Sequence, residues 1–107
     1  MIVTFDKEYL SELYYGGKCR DKKHRYQPDI IKRYKQRIDT LNDASCIEAL
    51  YRLRSLNYEV LTGDKAGISS IRVNDRYRIE FSVSHEADGK ELLTICNIME
   101  LSNHYKK

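Results

Sequence analysis

The sequence predicts an α+β domain, with helices followed by a block of antiparallel strands. Three observations lead there. Apolar residues recur at helical spacing twice in the first half of the chain. From Tyr58 onward the apolar residues alternate, broken by polar turns. The 107 residues suffice for one core without disulfide or metal staples, so one domain over residues 1–107 is expected.

The elements follow in order. Ile2 to Phe5 is a β-prone run. Asp6 is placed to cap a helix from Lys7 to about Tyr15, with Tyr9, Leu10, Leu13 and Tyr14 on its apolar face. Gly16 and Gly17 end it. Lys18 to Gln27 has no apolar period and is densely basic, so an exposed loop is expected. Pro28 fits the first position of a second helix, with Asp29 in its first turn. Ile30, Ile31, Tyr34, Ile38 and Leu41 form that helix's stripe. Ser45 and Glu48 have capping-box spacing for a third helix, expected to pair antiparallel with the second on one sheet face.

Strands come next: Tyr58 to Leu61, Ile68 to Val73, Tyr77 to Ser84 and Leu92 to Met99, with turns at Gly63 to Gly67 and His85 to Lys90. Glu100 to Lys107 reads as a short tail. The result is a mainly antiparallel sheet of four to five strands, which the N-terminal strand joins in either sense.

Register decides where the arginines of the Ile68–Ser84 hairpin point. A two-residue loop would mix core and charge on each face. A three-residue loop, Asn74-Asp75-Arg76, sets Ile71 opposite Ile79 and gathers Ile71, Val73, Tyr77, Ile79 and Phe81 on one face. Ser70, Arg72, Arg78 and Glu80 then share the other. A one-residue slip exchanges the faces, so burial selects the second register. Arg72 and Arg78 would lie opposite each other, which requires negative charge nearby. Glu80 or another carboxylate is one source, and a bound phosphate is the other.

Charge is uneven. The net charge is +3, yet Gly16 to Arg37 holds nine Lys/Arg against two acids, or +7, leaving −4 elsewhere. Such a segment suits a polyanion or is a solvated basic helix. Cys19, Cys46 and Cys96 form no CxxC pair, and with three His no metal-ligand spacing appears. An odd cysteine count points to a reducing cytoplasm, with Cys46 and Cys96 as small buried hydrophobes. No signal peptide or membrane span is visible.

Leu61 to Phe81 reads L-x-G-D-K-x-G, then S-I-R-V-N, then Y-R-I-x-F. This pattern resembles the HigB-like toxins within the RelE-type mRNA interferase superfamily. The resemblance implies helices packed on a sheet, and a toxin of a bacterial type II toxin–antitoxin pair. It further implies a ribosome-dependent endoribonuclease that cuts mRNA in the A site without a metal or other cofactor. The ribose 2′-hydroxyl attacks the adjacent phosphate, a base and an acid move protons, and cations stabilise the phosphorane. Implied partners are a HigA-like helix-turn-helix antitoxin, the ribosome with its mRNA, and operator DNA through the antitoxin complex.

On the matching positions, Arg78 in Y-R-I is the leading phosphate stabiliser. Lys65 in the G-D-K turn is a second cation, and Arg72 in S-I-R-V-N is the neighbour of Arg78 on the same face. Relatives often carry a His just before the L-x-G turn, where this chain has Glu59, a candidate carboxylate base. Their tails end in an acidic residue, Tyr and His, whereas this chain reads Asn103-His104-Tyr105. His104 is the expected acid or base, and Tyr105 its stacking or proton-transfer neighbour. Lys22, Lys23, Arg25, Lys32 and Arg33 are the expected RNA contacts. The competing reading is a RelE-like binding module that docks on ribosome or antitoxin without cleaving.

Overall fold

The computed structural model describes residues 1–103. β1, Ile2–Phe5, forms as the alternation predicts, with Val3 and Phe5 packed against the core. It joins the sheet in the parallel sense. The chain leaves β1 still bonded to the sheet, because the Asp6 N–H donates to the Ile98 carbonyl at 2.8 Å. The first helix, α1 (Glu8–Gly16), therefore starts late. Lys7 holds its N-cap position with no side-chain cap bond, so Asp6 is not the cap. Gly17 ends α1 at φ +75°, and its N–H closes on the Leu13 carbonyl.

The basic loop is more ordered than its composition suggests. Asp21 caps a 3₁₀ turn over Lys22–His24 by accepting the Lys23 N–H at 2.9 Å. Its carboxylate also pairs with His24 Nδ1 at 2.8 Å, and the imidazole stacks on Tyr9, centroids 3.7 Å apart. α2 (Pro28–Asp43) buries Ile30, Tyr34, Ile38 and Leu41 and leaves Ile31 half-buried. The Tyr34 hydroxyl, fully buried, donates to the Leu10 carbonyl at 2.7 Å.

That bond fixes the helix pair as α1 with α2, and not α2 with the third helix. α3 spans only Ile47–Tyr51. Cys46 occupies its N-cap with no side-chain cap bond, and Ser45 Oγ faces Cys46 Sγ instead, so the capping box does not form. The burial of Tyr9, Leu10 and Leu13 on α1 outweighs the local capping signal. Cys96 is buried as expected, while Cys46 is only half-buried.

The remaining strands are β2 (Glu59–Val60), β3 (Ser69–Arg72), β4 (Arg78–Asp88) and β5 (Glu91–Ser102). The sheet order is β1-β5-β4-β3-β2, antiparallel except for β1 against β5. The three-residue loop holds: Ile71 lies opposite Ile79 and Arg72 opposite Arg78, closed by the Val73 N–H on the Tyr77 carbonyl. Two lengths differ from expectation. His85 to Asp88 belongs to β4, so the second turn is only Gly89-Lys90, with Gly89 at φ +64°. Glycine at the first position of a two-residue loop favours such a tight hairpin. β5 likewise continues through Glu100 to Ser102, which were expected in the tail.

The helices cover one sheet face, where Ile71, Val73, Ile79, Phe81, Cys96 and Ile98 are fully buried. Opposite Glu80/Phe81 the β4–β5 ladder shifts register, and Met99 is the extra residue. Strict alternation from Ile98 would send Glu100 into the core and Leu101 out. The bulge reverses that, so Leu101 is buried and Glu100 sits across from Glu80 on the other face.

Candidate functional site

That other face carries polar residues under unusual burial. Ser70, Arg78, Glu80 and Ser102 are all 5 % exposed or less. Period-2 alternation on β3 and β4 puts Ser70, Arg78 and Glu80 on this side, the same register that sends the apolar set to the core.

Arg78 is clamped. Its Nε donates to Ser70 Oγ at 2.6 Å, and one terminal nitrogen donates to the Asn57 and Ser70 carbonyls at 2.5 and 3.1 Å. Asn57 presents its carbonyl from a left-handed turn, φ +44°, at the end of the 3₁₀ turn Arg54–Leu56. Glu59 Oε1 lies 3.6 Å from Arg78 Nε, with its side chain half exposed. The guanidinium is thus fixed in place before any ligand arrives.

Beside it sits a second charge cluster. Glu80 and Glu100 lie directly opposite across β4 and β5, an unfavourable arrangement for two carboxylates. Lys65, from the 3₁₀ turn Gly63–Lys65, resolves it. Its Nζ is 2.8 and 3.2 Å from the two Glu80 oxygens and 3.7 Å from Glu100. The face therefore presents two cations, Arg78 and Lys65, each beside a partly exposed carboxylate, Glu59 and Glu100.

Of the residues singled out from sequence, the fold brings Arg78, Glu59 and Lys65 together. Arg72 lies opposite Arg78, but its guanidinium pairs with Asp75 in the turn and its carbonyl accepts from Arg37 Nε at 2.9 Å. Burial, with Arg33 and Arg72 nearby, pulls the Arg37 pKa down. Lys22, Lys23, Arg25, Lys32 and Arg33 are exposed on the helical layer, away from the Arg78 face. His104 and Tyr105 lie outside the described residues. Sequence reasoning missed Glu100 and the Asn57 carbonyl. The spacing of three between Ile98 and Leu101, odd for a strand, was the available signal for the bulge that exposes Glu100.

Among the described residues no three His, Cys, Asp or Glu side chains are grouped to hold a metal ion. No described helix is long and apolar enough to cross a membrane.

The arrangement of a five-stranded sheet with helices on one face has a counterpart among solved structures. The solved YoeB/ParE toxin from Agrobacterium tumefaciens superposes with a TM-score of 0.54 over 98 % of this chain and 100 % of its own, at 18 % identity. At that identity the likeness speaks for the fold. The family model described as a RelE-like toxin of the type II toxin–antitoxin system HigB matches residues 3–94. The chain belongs to the HigB-like toxin family. Membership implies an antitoxin partner. Among curated proteins no significant sequence match is found. The matched region includes Glu59, Lys65, Arg78 and Glu80 and stops before Glu100 and the tail.

Proposed function

We propose that this toxin is a ribosome-dependent, metal-independent endoribonuclease acting on mRNA in the A site. The observation that carries the reading is the fixed Arg78 guanidinium with Glu59 Oε1 3.6 Å from its Nε. Charge on a phosphorane grows in the transition state, and a cation already held in place stabilises it without reorganisation. With the scissile phosphate at Arg78, the 2′-hydroxyl of the ribose that carries it lies beside Glu59, which takes the proton as base. Lys65 adds positive charge at the site's edge. His104 protonates the leaving 5′-oxygen, and Tyr105 assists it. The exposed Lys22, Lys23, Arg25, Lys32 and Arg33 contact RNA. The toxin works in the cytoplasm, and a HigA-like helix-turn-helix antitoxin holds it inactive and carries it to operator DNA.

A second reading has its own support. Arg78 and Lys65 both lie against carboxylates of the chain, as they would in a toxin-like module that binds without cleaving. Induced expression separates the two. For the nuclease, wild-type protein arrests growth and leaves new mRNA ends inside codons. Glu59→Gln should then cut more than tenfold slower while still binding ribosomes, a loss in the range of a missing general base. Growth arrest without new mRNA ends supports the binding module.

A further inference from the structure

Outside the Arg78 face, an open cleft of about 610 Å³ lies between the loop entering α2 and the β3–β4 turn. We infer that this cleft is a subsite for a ribonucleotide base of the RNA, one that flanks the scissile phosphate. The inference rests on the nuclease reading in taking RNA as the ligand.

The lining suits a base better than a bare phosphate. Arg25 and Arg76 contribute from opposite walls, both exposed, and neither makes an ion pair among the described residues. Asp29 adds an acceptor, while Asp75 is already held by Arg72. Tyr26 and Tyr77 meet edge-to-face at 5.4 Å and give the cleft aromatic surface. Donors, an acceptor and ring faces together match the mixed edge and flat face of a nucleobase. A phosphate site would be more uniformly cationic. The volume falls in the range of small-molecule sites.

The walls are also built to stay put. Asn74 Oδ1 accepts the backbone N–H groups of Arg76 and Tyr77 at 2.9 and 2.8 Å, which fixes the turn. The Tyr26 hydroxyl donates to the Leu101 carbonyl at 3.1 Å, which pins the loop to β5.

Position ties the cleft to the scissile site. Tyr77 and Arg78 are successive residues at the start of β4, so their side chains take opposite faces of the sheet's end. An RNA strand lying on Arg78 enters the cleft by rounding the β3–β4 turn, where Tyr77 directly precedes Arg78.

The test uses pentaribonucleotides with a 2′-O-methyl group at the central sugar, so that binding is read without cleavage. Four probes differ only in the base 3′ of that sugar, and four only in the base 5′ of it. Binding to full-length protein is followed by amide NMR. The expected result is shifts at Tyr26 and Tyr77 and an affinity spread of about tenfold across one set, the range of a good side-chain contact to a base. Arg76→Ala should flatten that spread. Arg76→Gln, as a second probe of the same exposed position, should do the same. Arg78→Lys should weaken every probe alike and leave the spread intact.

Four results overturn the subsite: a spread unchanged by either Arg76 variant, shifts confined to the Arg78 face, cleft shifts seen only with antitoxin, or probe binding at the cleft only after removal of residues 104–107. Failure of the nuclease reading looks different, with bases discriminated at the cleft but no mRNA cut on ribosomes. Cleavage indifferent to flanking base sinks the cleft alone.

Discussion

On the two sides of β4's first residues the protein handles charge in opposite ways. On the Arg78 face the clustered charges Arg78, Glu59, Lys65, Glu80 and Glu100 all meet partners of opposite sign, and Arg78 and Glu80 are almost fully buried. At the cleft, Arg25 and Arg76 stand in solvent with no ion pair among the described residues. The first arrangement suits chemistry, which needs charges held before the substrate comes. The second suits recognition, in which the ligand supplies the missing contact. Two residues adjacent in sequence, Tyr77 and Arg78, separate the two modes.

Substitutions make the contrast measurable. The largest effect is expected at Arg78→Ala, which leaves Glu59 and Ser70 facing a gap. It removes the donors to Ser70 Oγ and to the Asn57 and Ser70 carbonyls, and each buried acceptor left unsatisfied costs about 1–3 kcal/mol. Denaturant unfolding should show it, against Arg76→Ala within about 0.5 kcal/mol of wild type. Equal losses at the two arginines would erase the distinction.

Next comes Lys65→Met, which leaves Glu80 and Glu100 opposed across the strands. A loss of about 1–3 kcal/mol is expected, with recovery of most of it in Lys65→Met/Glu80→Gln. If the double variant is no better than the single one, Lys65 does not serve to separate those carboxylates.

The smallest effect concerns the core beneath both regions. Burial pushes the Cys96 thiol up to about 11. Its folded pKa is raised above the ordinary thiol value. Any stabilisation from keeping it neutral is therefore complete below that value and fades as pH climbs through about 11. At pH 8, Cys96 should react with a thiol reagent only as the chain opens, well after Cys46. Comparable rates for the two would mean that the core beneath the strands is open to solvent.

Much of this was legible in the sequence, for physical reasons that differ by region. The Ile71–Ile79 register was readable because a slip would have buried two arginines with the core set. That same alternation put Glu80 with Arg78 and brought the Gly63–Lys65 turn alongside. The caps at Asp6 and Ser45 misled, because side-chain capping is a weak local preference. Sheet bonding at Asp6 and burial of Tyr9, Leu10 and Leu13 overrode it. Glu100 was hidden by a bulge, and the Asn57 carbonyl is a backbone group that no residue type announces. The cleft joins segments some fifty residues apart, Tyr26 and Tyr77, whose meeting depends on how α2 crosses the sheet.

Met99 gives the end of β5 a parity. Up to Ile98 the even-numbered residues from Cys96 face the core, and after Met99 the odd-numbered Leu101 does. Without Met99, Ile98 and Glu100 would be successive residues, and plain alternation would keep the carboxylate outward and the leucine inward; with Met99 present, only the bulge does so. Lengthening or shortening the exposed Gly89-Lys90 tip by residues in pairs would preserve the count. The longest hairpin can therefore vary at its tip, while at its other end the bulge at Met99 is what brings the acidic partner of Lys65 out on the right side.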